Sequence, residues 1–218
     1  MKIMAVSDVE SKSLYDYYHP GCLDGVDLII GCGDLCPEYL EFLVTMANCP
    51  LVYIHGNHDN YAREPEGCVC IDGDVFEYNG VRIAGLPGSY RYREGKYMFT
   101  EHQMESMVRR LKRLILKMRG IDILVTHAPA RHLNDMESLT HRGFECFNEL
   151  IEHYRPALYL HGHIHMCYGS RIPRRTVRGD TVVINACDHC LIELNEADSA
   201  DRPQMSRRHL IRRKKNTA

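Results

Sequence analysis

Two carboxylates stand where the first apolar run of the chain stops: KIMAVS leads into Asp8-Val9-Glu10. Residues two apart on an extended chain project to the same side, so Asp8 and Glu10 can address one cation. Four more apolar runs end on residues of the same kind. DLIIGCGD closes on Asp34, LVYIHGNHD on Asn57, His58 and Asp59, IDILVTHAP leads through His127, and ALYLHGHIH closes on His163 and His165. Each run alone has a plain explanation, since aspartate and asparagine favour turns and a histidine can cap a helix. Five successive runs ending this way form a pattern that turn chemistry does not explain. Carboxylates, an amide and imidazoles, with no thiolate cluster among them, suit borderline-to-hard divalent cations. Gly31, Gly33, Gly56 and Gly162 stand beside these residues and permit tight backbone turns.

Such residues converge only if the runs are neighbouring strands, because ligands in open α/β sheets collect beyond the carboxyl ends of strands. The pattern along the chain supplies that arrangement. A strand at KIMAVSD, a short helix through SKSLYDYYH, a strand at DLIIGCGD, a helix over PEYLEFLVTMA and a strand at LVYIHGNHD predict a βαβαβ half with parallel strands. Asn79-Gly80 between two alternating runs predicts a hairpin. From Thr100 a long helix is expected, with Gln103 completing a capping box and Gly120 ending it. Strands at IDILVTHAP and ALYLHGHIH flank a helix at GFECFNELIEHY, and TVVINA and CLIEL close the sheet.

The 218 residues suffice for one well-buried domain, with 44% hydrophobic and 26% charged residues. No apolar stretch approaches the ~20 residues that span a bilayer. The start carries no basic and apolar leader, so a cytoplasmic location is the expectation, and the ten cysteines read as reduced thiols. The net charge of −2 hides an asymmetry: residues 202–218 carry seven Lys or Arg and no acid, which leaves 20 bases against 29 acids, a net −9, before them. An acidic body disfavours nonspecific nucleic-acid binding. Residues 1–195 read as one domain, and 196–218 as a basic, disordered tail.

In this order SDVE, GCGD, GNHD, THAP and GHIH resemble the calcineurin-like metallophosphoesterases, whose usual motifs are DxH, GDxx, GNH(D/E), a lone histidine after a strand, and GHxH. The resemblance runs from Met1 to about Leu194, and HRGFECFNELIEHYRP through HGHIHMCYG is similar to the small uncapped branch of that family. It implies an α/β fold, a four-layer αββα sandwich of two mixed β-sheets flanked by helices. It implies two divalent metal ions, with Asp8, Glu10, Asp34 and His165 on the first and Asn57, His127 and His163 on the second, Asp34 bridging them. His58 matches the histidine that protonates the leaving group, and Asp59 the acid that orients it. Chemically, paired cations clamp a phosphoryl group and hold a hydroxide for in-line attack, which leaves the departing alkoxide as the group that needs a proton.

Glu10 stands where the family has histidine, either as a true ligand on the same strand face or as a residue that has left the first site weak. The ligand reading is preferred. Three carboxylates against two dications leave a single positive charge, so the site is expected to favour phosphodiesters over dianionic monoesters and manganese ahead of zinc, with iron and magnesium as other occupants. His141 in HRG matches a histidine of the small uncapped branch, and PGSYRYREGKYMFT interleaves tyrosines with Arg91, Arg93 and Lys96, which makes His141, Arg91 and Tyr92 candidate contacts for a small or nucleotide-like phosphoester. A nuclease acting on single strands and a noncatalytic metal-binding scaffold are the rival readings. The retained His58 argues against the scaffold. No membrane partner is expected, nucleic acid is not the favoured partner, and the sequence leaves the oligomeric state open.

Overall fold

The apolar runs that end in ligand-type residues are all strands in the computed structural model, which describes residues 1–169 and 172–194. In chain order the first half contains β1 (Lys2–Ser7), β2 (Leu28–Gly31), α1 (Pro37–Ala47), β3 (Leu51–Tyr53) and β4 (Val69–Cys70). The second half contains β5 (Val75–Tyr78), β6 (Val81–Leu86), β7 (Ser89–Tyr90), β8 (Met98–Phe99), α2 (Glu101–Lys117), β9 (Ile123–Thr126), α3 (Glu145–Tyr154), β10 (Leu158–His161), β11 (Arg175–Arg178), β12 (Thr181–Asn185) and β13 (Asp188–Glu193). One sheet runs β13-β1-β2-β3-β4, with only β13 antiparallel to its neighbour. The other runs β11-β12-β10-β9-β6-β5, parallel in the centre and antiparallel at both edges.

Period-two alternation sorts each strand's side chains into two layers. Ile3 and Ala5 of β1 meet Ile123 and Val125 of β9 and Leu158 and Leu160 of β10 in the core between the sheets. Met4 and Val6 face outward onto Tyr39, Leu40 and Leu43 of α1. On the other side Leu124 and Tyr159 pack under Leu111 and Ile115 of α2 and Phe147 and Leu150 of α3. Helix, sheet, sheet, helix is the four-layer order. Central strands buried on both faces explain why their runs are continuously apolar.

Local signals that rest on backbone chemistry are realised. Thr100 accepts from the Gln103 amide while the Gln103 side chain accepts from the Thr100 amide, so α2 begins on a capping box. Asn79 and Gly80 both have positive φ, 50° and 78°, the two-residue turn whose twist matches a hairpin. One expected helix is absent: in SKSLYDYYH, residues 12–17 form turns instead. Leu14 reaches the core from this stretch, and Tyr15 and Tyr18 pack edge-on against Tyr39 and Phe42 of α1, contacts that turns supply without a helix. The short strands β4, β7, β8 and β11 have no counterpart in the sequence reading. The basic tail lies outside the described residues.

Candidate metal centre

The carboxyl ends of β1, β2, β9 and β10 meet at the junction of the two sheets. Ligand atoms of Asp8, Asp34 and His127 all lie within 4.8 Å of one another. Asp8, Asp34 and His163, the residues that must aim side chains inward from strand ends, have positive φ of 66°, 57° and 66°. Left-handed backbone at non-glycine residues costs on the order of 1–3 kcal/mol each and persists where the surroundings over-determine it. Here they do. The Asp8 amide donates to the Gly33 carbonyl at 3.1 Å, and both Asp8 oxygens accept from the His163 amide at 2.8 and 3.1 Å. The Asp34 amide donates to Asp59 Oδ2 at 3.0 Å, and Asp34 Oδ1 accepts from the His58 amide at 2.7 Å. Close approach also explains Gly33: a Cβ there would sit 2.5 Å from the Gly56 nitrogen and 2.7 Å from His127 Nδ1.

His127 decides what the cluster can hold. Its Nδ1 lies 2.8 Å from the Cys32 carbonyl, an oxygen that only accepts, so Nδ1 carries the hydrogen. Nε2 then faces Asn57 Oδ1 at 3.0 Å and Asp34 Oδ2 at 3.3 Å, while Asn57 Nδ2 is buried with no hydrogen-bond partner. A neutral ring would direct its lone pair at two further acceptor oxygens. A positively charged occupant satisfies all three, a proton in the metal-free protein or a divalent cation in its place. The donor set therefore fits a metal. Burial opposes charge on His127, yet the Asp34 and Asp8 carboxylates outweigh it and raise the ring to about 9. Burial likewise works against the Asp34 charge, and His127 with the His58 amide holds that carboxyl down at about 2. Asp8 is pushed up, first by burial and further by the like charge of Asp34.

The remaining ligand candidates arrange around this group. His163 donates Nε2–H to the Thr140 carbonyl at 2.7 Å, which leaves Nδ1 as its lone pair, the fixed-tautomer arrangement of metal-ligating histidines. Burial, followed by the charge of His127, lowers the His163 ring to about 3. His165 Nε2 is 3.9 Å from Asp8 Oδ1, and its ring stacks on Tyr168 at 5.0 Å. Glu10 is positioned differently. Its Oε1 accepts from the Cys36 amide at 3.3 Å, at the N-terminus of α1, and it stands outside the tight Asp8–Asp34–His127 group.

His58 presents an exposed side chain beside the cluster while its amide is tied to Asp34. Asp59 does not hydrogen-bond the His58 ring. Its Oδ2 accepts from the Gly56 and Asp34 amides and its Oδ1 is buried without a partner, so it braces the backbone turns that carry Asn57 and Asp34. His141 lies 5.6 Å from His163 and 4.8 Å from Tyr168, ring to ring, at the rim of the site. Arg91 instead bonds the Met98 carbonyl and Gln103 Oε1 at the start of α2, and Tyr92 lies under Arg93. Sequence reasoning missed the positioning carbonyls of Cys32 and Thr140. Backbone acceptors leave no residue-type signature.

The metal-free protein should show a stability maximum near pH 6.5. Between about 4 and 6.5 the unfolded chain protonates histidines that the fold keeps neutral, His163 and the buried His161, lowered by burial to about 4, so stability rises with pH. Between 6.5 and about 9 the folded chain holds the His127 and His55 protons that the unfolded chain has lost, so stability falls with pH. Melting temperatures across this range in chelator test it, and a monotonic profile contradicts it.

A family model for the calcineurin-like phosphoesterase superfamily domain matches residues 1–191. The chain belongs to that superfamily. No curated protein matches it. Among solved structures, TT1561 of Thermus thermophilus is 18% identical, with a TM-score of 0.61 and coverage of 86% of this chain and 89% of its own. A second crystal structure, 12% identical with a TM-score of 0.63, covers 88% of this chain and 94% of its own. Both likenesses concern the fold. Members of the calcineurin-like phosphoesterase superfamily generally bind divalent metals and hydrolyse phosphoesters. In this member the candidate metal-binding group of Asp8, Asp34 and His127 is built from residues of the first, second and fourth motifs.

Proposed function

We propose that this calcineurin-like phosphoesterase is a dinuclear-metal hydrolase of phosphodiesters in a small or nucleotide-like substrate. The observation that carries the proposal is the convergence of Asp8, Asp34 and His127, with an Nε2 lone pair and acceptor oxygens directed at one point. Asp8, Glu10, Asp34 and His165 are assigned to one cation and Asn57, His127 and His163 to the other, with Asp34 shared because a carboxylate has two oxygens. Bound divalent cations supply Lewis-acid polarisation of the phosphoryl group and acidify water.

The chain's own residues do the rest. The exposed His58 donates a proton to the leaving oxygen. Thr140 and Cys32 hold His163 and His127 in the tautomers that leave one nitrogen of each unprotonated. Tyr168 and His141 form an aromatic rim beside His163 and His165 that suits a planar substrate group. This reading moves the substrate contact from Arg91 and Tyr92, which are engaged elsewhere, to His141 and Tyr168.

Metal analysis of the purified chain and comparison of aryl diesters with aryl monoesters test the proposal. The expected result is manganese or iron taken before zinc, and a higher kcat/KM for diesters. A zinc-loaded protein with a large monoester preference contradicts it. Glu10→Gln isolates the variant ligand. Loss of bound metal is expected, whereas full metal content with a stability loss of about 0.3–1 kcal/mol would make Glu10 a partner of the α1 N-terminus alone.

A further inference from the structure

A second group of metal-type ligands lies outside the phosphoesterase centre. His55 Nδ1, Cys70 Sγ and an Asp72 carboxylate oxygen come within 4.8 Å of one another where β3 and β4 end. Sγ is 3.7 Å and Asp72 Oδ2 is 2.7 Å from the same ring nitrogen. On the far side of the ring, Nε2 lies 2.9 Å from Glu64 Oε2, an oxygen that also accepts from the Tyr53 hydroxyl at 2.5 Å. The ring is further clamped flat against Tyr97, with centroids 4.5 Å apart and planes at 8°.

Histidine ligands of metals are supported in this way. A carboxylate that takes Nε2–H fixes the tautomer and turns the Nδ1 lone pair toward the thiol and the second carboxylate. Ligand atoms around a tetrahedral zinc with bonds of about 2.0–2.3 Å stand roughly 3.3–3.8 Å apart. The Sγ–Nδ1 separation already falls in that range, and the Asp72 oxygen has to withdraw from Nδ1 by several tenths of an ångström. Cys70 is exposed, so the thiolate is accessible and a fourth position is open to water. Mixed nitrogen, sulfur and oxygen donors select a borderline ion, in contrast to the all-nitrogen-and-oxygen set of the catalytic centre. With no cation present the ring shares a proton with each carboxylate, and a cation replaces the one on Nδ1.

We propose that His55, Cys70 and Asp72 bind a zinc-class cation, with Glu64 orienting the imidazole, as a structural site separate from the catalytic pair. Its position gives it a task. His55 immediately precedes the Gly56–Asp59 turn that carries Asn57 and His58, its carbonyl accepts from the Gly88 amide at 2.8 Å, and Asp72 bridges to Gly85 of the other sheet. A cation here ties the end of β3 to the crossing between sheets and stiffens the catalytic turn from behind.

Cobalt(II) is the probe, because sulfur ligation produces a thiolate-to-metal charge-transfer band in the near ultraviolet that oxygen and nitrogen ligands do not. Titration of the full chain under reducing conditions should give this band in the wild type and in Asp34→Ala, where the catalytic centre is disrupted. Cys70→Ser, at an exposed position that the fold tolerates, should abolish it, and Asp72→Asn should weaken cobalt affinity by at least about tenfold. Zinc should raise the melting temperature of Asp34→Ala but not of the Asp34→Ala/Cys70→Ser double variant. The proposal is overturned if the wild type gives no band, if the band survives in Cys70→Ser, or if it vanishes in Asp34→Ala, which would put the sulfur ligand at the catalytic centre. Diesterase activity is read separately, so failure here leaves the phosphoesterase proposal standing, and the reverse also holds.

Discussion

His58→Ala is expected to lower kcat by about 10²–10⁴-fold, the usual contribution of a positioned general acid, while bound metal stays at the wild-type level. The two outcomes separate because the residue attaches to the site through its backbone. The His58 amide donates to Asp34 Oδ1, and alanine keeps that amide, so the Asp34 carboxylate remains oriented. The side chain is exposed, so its removal opens no core cavity and folding stability should hardly change. The leaving group provides the sharper readout. A 4-nitrophenolate departs without a proton, whereas an alkoxide does not, so the defect should be much smaller for 4-nitrophenyl esters than for alkyl esters. An equal loss on both substrates, or loss of metal, would remove His58 from the acid role. Asp59→Asn offers a contrast. Because Asp59 accepts from the Gly56 and Asp34 amides and has no bond to the His58 ring, its replacement should act through stability and metal content and leave the leaving-group dependence unchanged.

Asp34→Asn should abolish measurable activity through metal loss. The asparagine can still accept from the His58 amide, so the backbone around position 34 is retained. What disappears is the charge that the fully buried His127 ring faces at 3.3 Å. Removing one member of a buried charged pair costs about 3–5 kcal/mol, which is roughly 10²–10³-fold or more in affinity for a cation held by that member. In chelator the same substitution should also reduce the alkaline fall in stability above pH 6.5, because the His127 proton loses its main partner while that of His55 is kept. Elemental analysis of the purified variant and melting curves in chelator check the two halves independently. An Asn variant that keeps two ions per chain would remove Asp34 as the shared ligand.

Much of the candidate site was legible in the order of the residues. Each ligand-type residue follows an apolar strand, and strand identity is encoded locally by apolar runs and turn residues. That is why β1, β2, β3, β9 and β10 are all readable from sequence, and why their carboxyl ends are recognisable as one site. The α2 capping box and the Asn79-Gly80 hairpin are readable for the same reason, since both depend on side chains within four residues of each other. Residues 11–19 mislead because their apolar spacing imitates a helix, and only packing against Tyr39 and Phe42 of α1 shows that the anchors Leu14, Tyr15 and Tyr18 need no helical path.

Tertiary structure alone decided the roles that depend on contact across the chain. Whether Asp59 serves the His58 ring or the backbone, whether Arg91 reaches the site or the start of α2, and which carbonyl fixes the tautomer of each histidine all turn on pairs far apart in sequence, as with Cys32 and His127. The same holds for His55, Cys70 and Asp72, which no motif connects and which meet only because β3 and β4 pair in parallel. Residue type and spacing state which chemistry is available at a strand end. Hydrogen-bond geometry across the two sheets determines which atom of each residue is left to perform it, because one lone pair or one proton cannot serve two partners.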